Sequence, residues 1–162
     1  MGTPIWAIEG VALDSTGEMV ADSLGDKVTE LLAHINAEGQ VYPTLAAGAT
    51  IVSSNTDWVL GAVTEVVPSN TITTTFHVHD VSIESCDRDA VFELVLYYGA
   101  GDTEFSRKRF AISGGFFGNV QIPMTSVKVP ANSRVRAALA SSNGTALVAT
   151  ITMSITYAEE VP

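Results

Sequence analysis

A run of alternating apolar and polar residues near the C-terminus limits what this chain can fold into more than any other pattern. Apolar side chains occupy every second position from 147 to 157, and mostly hydroxylated residues lie between them. Successive side chains of a β-strand point to opposite faces, so the run predicts a long strand with one buried face. The apolar positions are Leu147, Ala149, Ile151, Met153, Ile155 and Tyr157.

Seven further runs of this kind lie upstream and are separated by short turn signals. They occupy about 49–53, 58–67, 71–85, 90–98, 104–112, 119–129 and 134–139. Eight short strands with no helical pattern between them favour a mainly β fold, an antiparallel β-sandwich with a jelly-roll-like arrangement. Pro123 and Pro130 flank residues 124–129, which suits an edge strand because proline cannot donate to a ladder. Asn143-Gly144 predicts a tight hairpin between the last two strands.

The first 40 residues follow a different pattern. They hold seven acids and one base, a net charge of −6, whereas the whole chain of 162 residues carries −10. Apolar residues at spacings of three and four predict a helix over about 23–37. The stripe is either a seam between helices of several chains or the buried face of an ordinary amphipathic helix. Its central residues are Leu24, Val28, Leu31 and Ile35. We therefore divide the chain into an acidic N-terminal arm, 1–40, and a β-sandwich domain, 41–162.

Composition excludes several classes of partner. The net charge of −10 and the scarcity of bases disfavour nucleic acid, and no apolar run is long enough to cross a bilayer. A single cysteine, Cys86, provides no internal disulfide, and its acidic neighbours should leave the thiol unreactive. Only 16% of residues are charged, which indicates that partners cover part of the surface. No cofactor is expected.

One cluster of residues invites comparison with metal sites. His77 and His79 lie two apart on a predicted strand, and Glu84 follows, which resembles the His-x-His-x4-Glu core of the cupin family. That family's motif also requires glycines where this chain has Thr71 and Val91, and a second motif with another histidine, which is lacking after His79. The alternative is a histidine pair in solvent or at a subunit contact, beside a β-bulge where the apolar positions change register. We predict no resident metal.

Two surface features stand out from the predicted strands and turns. Arg107 and Arg109 share one face of a predicted strand, as a solvated surface or as a salt-bridging surface for an acidic neighbour. Phe116 and Phe117 lie in a glycine-rich loop, where they either anchor a contact or fold back on the sandwich. Asp87 and Asp89 flank Arg88 in a polar loop, where solvated charges or a local ion pair are expected rather than a general acid and base.

Several strand-and-turn phrases resemble small structural proteins of tailed bacteriophages. They include the stretches 92–99, 122–124 and 129–142, and the stretch 50–67 has the same character. The resemblance covers about residues 45–157. It implies a virion component with a β-sandwich body, a head decoration (cement) protein or a head fibre, of a kind that commonly works as a trimer where capsid subunits meet.

These observations lead to a hypothesis of a non-enzymatic protein that stabilises the head shell. The expected partners are further copies of the chain, as a homotrimer, and the major capsid protein or other virion proteins, at the capsid surface after synthesis in the host cytoplasm. The candidate contact residues are Trp6, Leu24, Val28, Leu31, Ile35, Phe116 and Phe117. A fibre or knob that binds a receptor or glycan through Trp58, Tyr97 and Tyr98 is the alternative. A metal-dependent enzyme centred on His77, His79 and Glu84 is the third hypothesis.

Overall fold

The computed structural model describes residues 39–44, 47–115, 118–125, 127–143 and 148–160. Within those ranges the chain forms nine β-strands and no α-helix, and no helix there is long and apolar enough to span a membrane. The predicted helix over 23–37 lies outside the described residues. The strands are β1 (Gln40–Tyr42), β2 (Ala49–Val52), β3 (Thr64–Val67), β4 (Phe76–Cys86), β5 (Ala90–Tyr98), β6 (Thr103–Ile112), β7 (Val120–Pro123), β8 (Val135–Ser141) and β9 (Thr150–Glu159).

The strands form two antiparallel sheets. The first sheet has the order β1-β9-β4-β7, with β2 pairing β9 beyond β1, and the second has the order β3-β8-β5-β6. Every connection from β2 onward crosses between the sheets except the one from β5 to β6. This interleaved order is that of a jelly roll, so the predicted antiparallel sandwich of jelly-roll type is confirmed.

The core lies between the facing sides of the two sheets. Alternate residues of each strand enter it, as the period of two requires. Of the apolar run that begins at residue 147, the described members Ala149, Ile151, Met153, Ile155 and Tyr157 are all buried. From the second sheet, the fully buried inward residues include Phe92, Leu94, Leu96, Val135, Ala137 and Leu139.

The structure corrects three predicted strand features. The last two strands are not a hairpin, because β8 lies in the second sheet and β9 in the first. The predicted strand 58–67 is regular only from Thr64, and residues 53–63 instead carry the chain from one sheet to the other. The predicted strand 119–129 ends at Pro123, so the edge strand lies before 124–129 rather than within it. Propensity and alternation alone did not separate paired strands from extended crossings.

The predicted β-bulge near the histidine pair is confirmed. In the pairing of β4 with β9, the register shifts between Val78 and Asp80, so His79 is an extra residue on β4. Phe76 and Val78 point into the core before the bulge, and Val81 and Ile83 do so after it. The bulge keeps the apolar residues on the inner side of the sheet although their parity changes.

Strand β6 forms an open edge of the second sheet. Its register with β5 shifts at Phe105, which forms a bulge, and Lys108 pairs with Leu94. By alternation, Lys108 lies on the inner side of the strand, with Ser106 and Phe110 on the same face. A bulge and an inward charge are two ways in which proteins keep an exposed edge from pairing with another strand.

The crossing 53–63 runs beside β8 as a continuation of β3. The amide of Trp58 donates to the carbonyl of Ser141 at 2.9 Å, and the amide of Gly61 donates to the carbonyl of Leu139 at 2.9 Å. A Cβ atom on Gly61 would lie 2.1 Å from the carbonyl oxygen of Val52. Only glycine allows the two backbone segments to approach this closely.

Substitution of Gly61 by alanine should destabilise the fold, because the added methyl group collides with backbone that cannot move away cheaply. We expect Gly61→Ala to lower the free energy of unfolding by about 1–3 kcal/mol, measured by chemical denaturation. Gly101→Ala is the control, since nothing lies within 4 Å of its Cβ position, and it should leave stability unchanged or slightly higher. Equal losses in the two variants would contradict the close approach at Gly61.

Candidate functional site

Four connections meet at one end of the sandwich, which we call the loop end: residues 53–63, 87–89, 113–119 and 142–149. The strand pairing places them together, since Val52 pairs with Thr150, Ala90 with Ile112 and Phe92 with Ser141. Loops positioned by a rigid sandwich are common places for binding sites. We therefore treat the loop end, together with the adjoining outer face of the second sheet, as the candidate functional site.

Two carboxylates fasten the connections to one another. Asp89 accepts hydrogen bonds from the amides of Gly114 at 2.7 Å and Gly115 at 3.1 Å, and Asp87 accepts one from the amide of Thr150 at 2.9 Å. Gly114 and Gly115 have φ values of 80° and 86°, which glycine adopts without strain. The predicted polar loop of Asp87 and Asp89 is thus tied to the connection 113–119 and to the start of β9, a role that the sequence did not reveal.

The electrostatics of the 86–89 turn agree with a structural role. Burial alone would raise the pKa of Asp87, but the bond from the Thr150 amide and the contact with Arg88 outweigh burial and lower that pKa. Arg88 Nε lies 3.2 Å from Asp87 Oδ1, which is the expected local ion pair. Burial is the main cause that raises the pKa of the Cys86 thiol, and the neighbouring acids add to it, so Cys86 is held in the protonated form.

The loop end carries most of the exposed large apolar side chains of the described residues. The described residues include eight exposed large apolar side chains, and all of them except Val127 lie on strand ends or connections of the loop end. Scattered exposed apolar residues are normal, whereas their concentration at one end indicates a contact surface. We call this set the apolar rim: Val52, Trp58, Val59, Val63, Val91, Val120 and Val148.

Trp58 is the largest member of the apolar rim and has a strained backbone. Its φ of 59° lies in the left-handed region, which costs a non-glycine residue about 1–2 kcal/mol. The strain persists because the amide of Trp58 is bonded to Ser141, and the amide of Val59 donates to Thr56 at 3.2 Å. The fold therefore holds an indole that is 44% exposed in a fixed position.

Trp58 reaches across the outer face of the second sheet to Arg109. Its backbone lies beside β8, yet the guanidinium carbon of Arg109, on β6, lies 4.7 Å from the centroid of its ring. Glu93 of β5 pairs with Ala140 of β8 on one side and with Arg109 on the other. Ala140 is fully buried although alternation points it away from the core, which fits a position beneath this bridge.

A row of ion pairs holds Arg109 in place. Arg109 Nε donates to Glu93 Oε2 at 2.7 Å, and Arg107 also bonds Glu93. Arg107 donates to both carboxylate oxygens of Glu104, at 2.9 and 2.8 Å. The hydrogen bond from Arg109, more than that from Arg107, lowers the pKa of Glu93. The prediction that Arg107 and Arg109 share a face is confirmed. Both arginines form ion pairs with acidic residues of the same chain.

The structure separates the three aromatic residues proposed for a receptor site. Trp58 and Tyr97 lie on the outer side of the second sheet, and Tyr97 is half-buried. Tyr98 is turned toward the core, where its ring meets that of Phe105 edge to face at 5.8 Å. The group that does converge is Trp58 with Arg109 and Glu93. Period-two alternation places Glu93 and Arg109 on outer faces, but only the strand order makes them neighbours.

The structure does not bring together His77, His79 and Glu84. His77 Nε2 lies 3.2 Å from Glu160 Oε1. Glu84 lies about 20 Å from His77 along β4, and there it accepts a hydrogen bond from Ser154. His79, at the bulge, lines a cavity of about 360 Å³. The other residues that line it are Gly39, Asp80 and Thr156. Among the residues that the structure describes, no three His, Cys, Asp or Glu side chains are grouped as metal ligands.

The predicted contact residues fall outside the described ranges. These are Trp6, Leu24, Val28, Leu31, Ile35, Phe116 and Phe117. The described residues on either side of the phenylalanine pair, Gly114, Gly115 and Gly118, all have positive φ. The connection that carries the pair therefore leaves and returns to the sandwich at the loop end.

No protein-family model and no curated protein matches the chain. Similar solved structures include the arabinose-bound α-L-arabinofuranosidase MgGH51, at 8% identity and a TM-score of 0.35 over 65% of this chain and 18% of that chain. Infectious bursal disease virus, Gx strain, is similar at 15% identity and a TM-score of 0.37 over 73% and 32%. The Gt strain gives 14% and 0.35 over 76% and 36%. The chain thus spans about a third or less of those chains, and such TM-scores carry no argument about function.

Removal of the Asp89 carboxylate should loosen the connection 113–119. Asp89→Ala leaves the amides of Gly114 and Gly115 without their acceptor, and the loss is about 1 kcal/mol. We expect those amides to exchange hydrogen about five- to tenfold faster, measured by mass spectrometry of peptides from this connection. Ser113→Ala, in the same connection, is the control and should leave the exchange as it is. Unchanged exchange in Asp89→Ala would contradict the role given to Asp89.

The ion pairs of Glu93 should make part of the stability pH-dependent. Because the pKa of Glu93 is lower in the folded protein, its contribution is present above the unfolded value of about 4.3 and is lost as pH falls through the folded pKa. Wild type should therefore melt above Glu93→Gln at pH 7, and the two should converge at acidic pH. Glu65→Gln, which removes a carboxylate from the same sheet, should show a smaller difference. A Tm difference that is constant from pH 7 to about pH 3 would contradict this assignment.

Proposed function

We propose that the chain is a non-enzymatic structural protein of a virion, which binds copies of itself and the capsid through the loop end. The observation that carries the proposal is the apolar rim on a fixed jelly-roll body. The resemblance of residues 45–157 to small structural proteins of tailed bacteriophages supports the same assignment. Jelly rolls occur in capsid proteins, lectins and cupins, so the fold alone does not choose among these classes.

The apolar rim has the properties of a protein contact. A Trp and an Arg, residue types that dominate binding energy at interfaces, lie together at Trp58 and Arg109. Exposed valines lie nearby, such as Val59 on the connection 53–63 and Val91 near the start of β5. Burial of apolar surface contributes about 25 cal/mol per Å², and a specific contact buries roughly 800 Å² on each partner. The hydrogen bonds of Asp87 and Asp89 fix the connections in advance, which reduces the ordering cost of association.

The acidic arm, residues 1–40, adds the second element of the proposal. Its apolar stripe Leu24, Val28, Leu31 and Ile35 knits copies together as a seam, in a homotrimer, and Trp6 contributes a further contact. Phe116 and Phe117, which belong to the connection 113–119 in the sequence, are further candidates for the contact. In the proposed decoration (cement) role, the β-sandwich body joins neighbouring capsid subunits at the shell surface, and the arm holds the copies of the chain together.

Charges introduced into the apolar rim should weaken the association. Val59→Asp combined with Val91→Asp would bury two unpaired carboxylates at the contact, so we expect loss of the oligomer and of binding to heads. Val127→Asp is a matched control, because Val127 is a valine at least as exposed as Val59 and Val91 but lies at the opposite end. Light scattering gives the oligomeric state, and co-sedimentation with heads that lack the protein gives capsid binding. Cooperative melting at an unchanged Tm confirms that each variant folds.

Cryo-electron microscopy of intact particles tests the location. The proposal expects density for the jelly roll at positions where capsid subunits meet, with the loop end against a neighbour. Density on the tail or neck would overturn the decoration role and leave a structural role elsewhere in the virion. If the double variant of Val59 and Val91 remains oligomeric and still binds heads, the loop end is not the contact surface.

A further inference from the structure

The outer face of the second sheet brings together two groups that recognise different parts of one small molecule. The indole of Trp58 is a flat apolar platform, and the guanidinium of Arg109 beside it is a fixed charge. From this geometry we propose that Trp58 and Arg109 bind a sugar that carries a carboxylate, such as a uronic acid or a sialic acid. This binding activity goes beyond the proposed structural role, and because it uses the same two residues, a protein contact at Trp58 and Arg109 would compete with the sugar.

Trp58 supplies the surface for the sugar ring. One side of a pyranose ring presents C–H groups, which pack against an aromatic ring as other apolar groups do. Trp58 remains 44% exposed with the Arg109 guanidinium over its ring, so part of the indole is left for a second partner. Hydrogen bonds of the 53–63 crossing hold the residue in its left-handed conformation, and the platform exists before any ligand arrives.

Arg109 supplies recognition of the carboxylate. Its Nε is engaged by Glu93, while its side chain as a whole stays 65% exposed, so the guanidinium is accessible from solvent. The planar fork of a guanidinium matches the two oxygens of a carboxylate, and such paired bonds are stronger than bonds between neutral groups. The ligand acid therefore lies next to the ring that stacks on Trp58.

Glu93 is a positioning residue in this site. Its side chain is only 12% exposed and is bonded by both Arg107 and Arg109, so it orients Arg109 rather than meeting the sugar. Arg107, in turn, is engaged by both oxygens of Glu104 as well as by Glu93. Of the two arginines in the row, Arg109 is therefore the one that is available to a ligand, and it is the one beside the indole.

Fluorescence titration of a Trp6→Phe variant tests the proposal, because Trp58 is then the sole tryptophan of the chain. The probes are glucuronic acid, N-acetylneuraminic acid, neutral glucose, and acetate, which has the carboxylate without the ring. We expect saturable binding of at least one acidic sugar with a Kd of about 1–10 mM, the range for a small exposed site. Glucose and acetate should bind at least tenfold more weakly, since each supplies half of the contacts.

Variants separate the two contributions. Arg109→Gln should weaken binding of the acidic sugar at least tenfold, whereas Lys128→Gln removes the same charge beside Glu160, at the opposite end, and should change nothing. Trp58→Ala should abolish binding, observed from the ligand by saturation-transfer NMR, and Trp58→Phe should retain part of it. Cooperative thermal melting shows that each variant folds.

Three outcomes would overturn the proposal. The first is no saturable binding of either acid, and the second is equal binding of the acids and of glucose or acetate. The third is an Arg109→Gln variant that binds the acidic sugar as well as the parent does. If no sugar binds and Trp58→Ala dissociates the oligomer, the cluster is a contact between proteins, which overturns the sugar site and leaves the proposed function intact.

Discussion

Pairing along both edges of β9 holds the first sheet together. On one edge β9 bonds β1 and β2, and on the other it bonds β4 over nine aligned pairs. Its inward residues are buried, and Ser154 on its outer side is fully buried. These pairs join residues far apart in sequence, as when Tyr157 donates its hydroxyl hydrogen to Gln40 at 2.8 Å. Each such contact costs loop-closure entropy, which is offset only when several contacts form together. A fold built from non-local contacts of this kind is therefore expected to form cooperatively.

The same connectivity creates the candidate site. Because consecutive strands cross between sheets, four connections that are remote in sequence meet at one end, and carboxylates such as Asp89 tie them to one another. A rigid end can display an exposed Trp58 and the valines of the apolar rim without collapsing around them. The strained φ of Trp58 is a cost that packing elsewhere offsets, as is common where a side chain is held for binding.

The sequence predicted those features that depend on local periodicity. The alternating apolar residues located most strands and their buried faces, the change of parity near His79 predicted the bulge, and the alternation of Arg107 and Arg109 predicted their common face. The partners of strands were not predictable in this way. Asn143-Gly144 is a strong local hairpin signal, yet β8 and β9 lie in different sheets, where β8 pairs with β3 and β5 and β9 pairs with β1, β2 and β4. Trp58 was recognisable as exposed, but its meeting with Arg109 depends on strand order, which no local pattern encodes.

The inward Lys108 and the bulge at Phe105 also limit the shape of any assembly. An edge strand with free backbone groups can recruit the same strand of another copy, and repetition of that step produces an open ribbon with no fixed number of subunits. Strand β6, the longest exposed edge of the second sheet, is unsuited to this because its ladder is interrupted and one of its inner positions carries a charge. In the proposed assembly, copies of the chain would therefore not join through their β6 strands, and a contact through side chains is compatible with an assembly that closes after a small number of subunits.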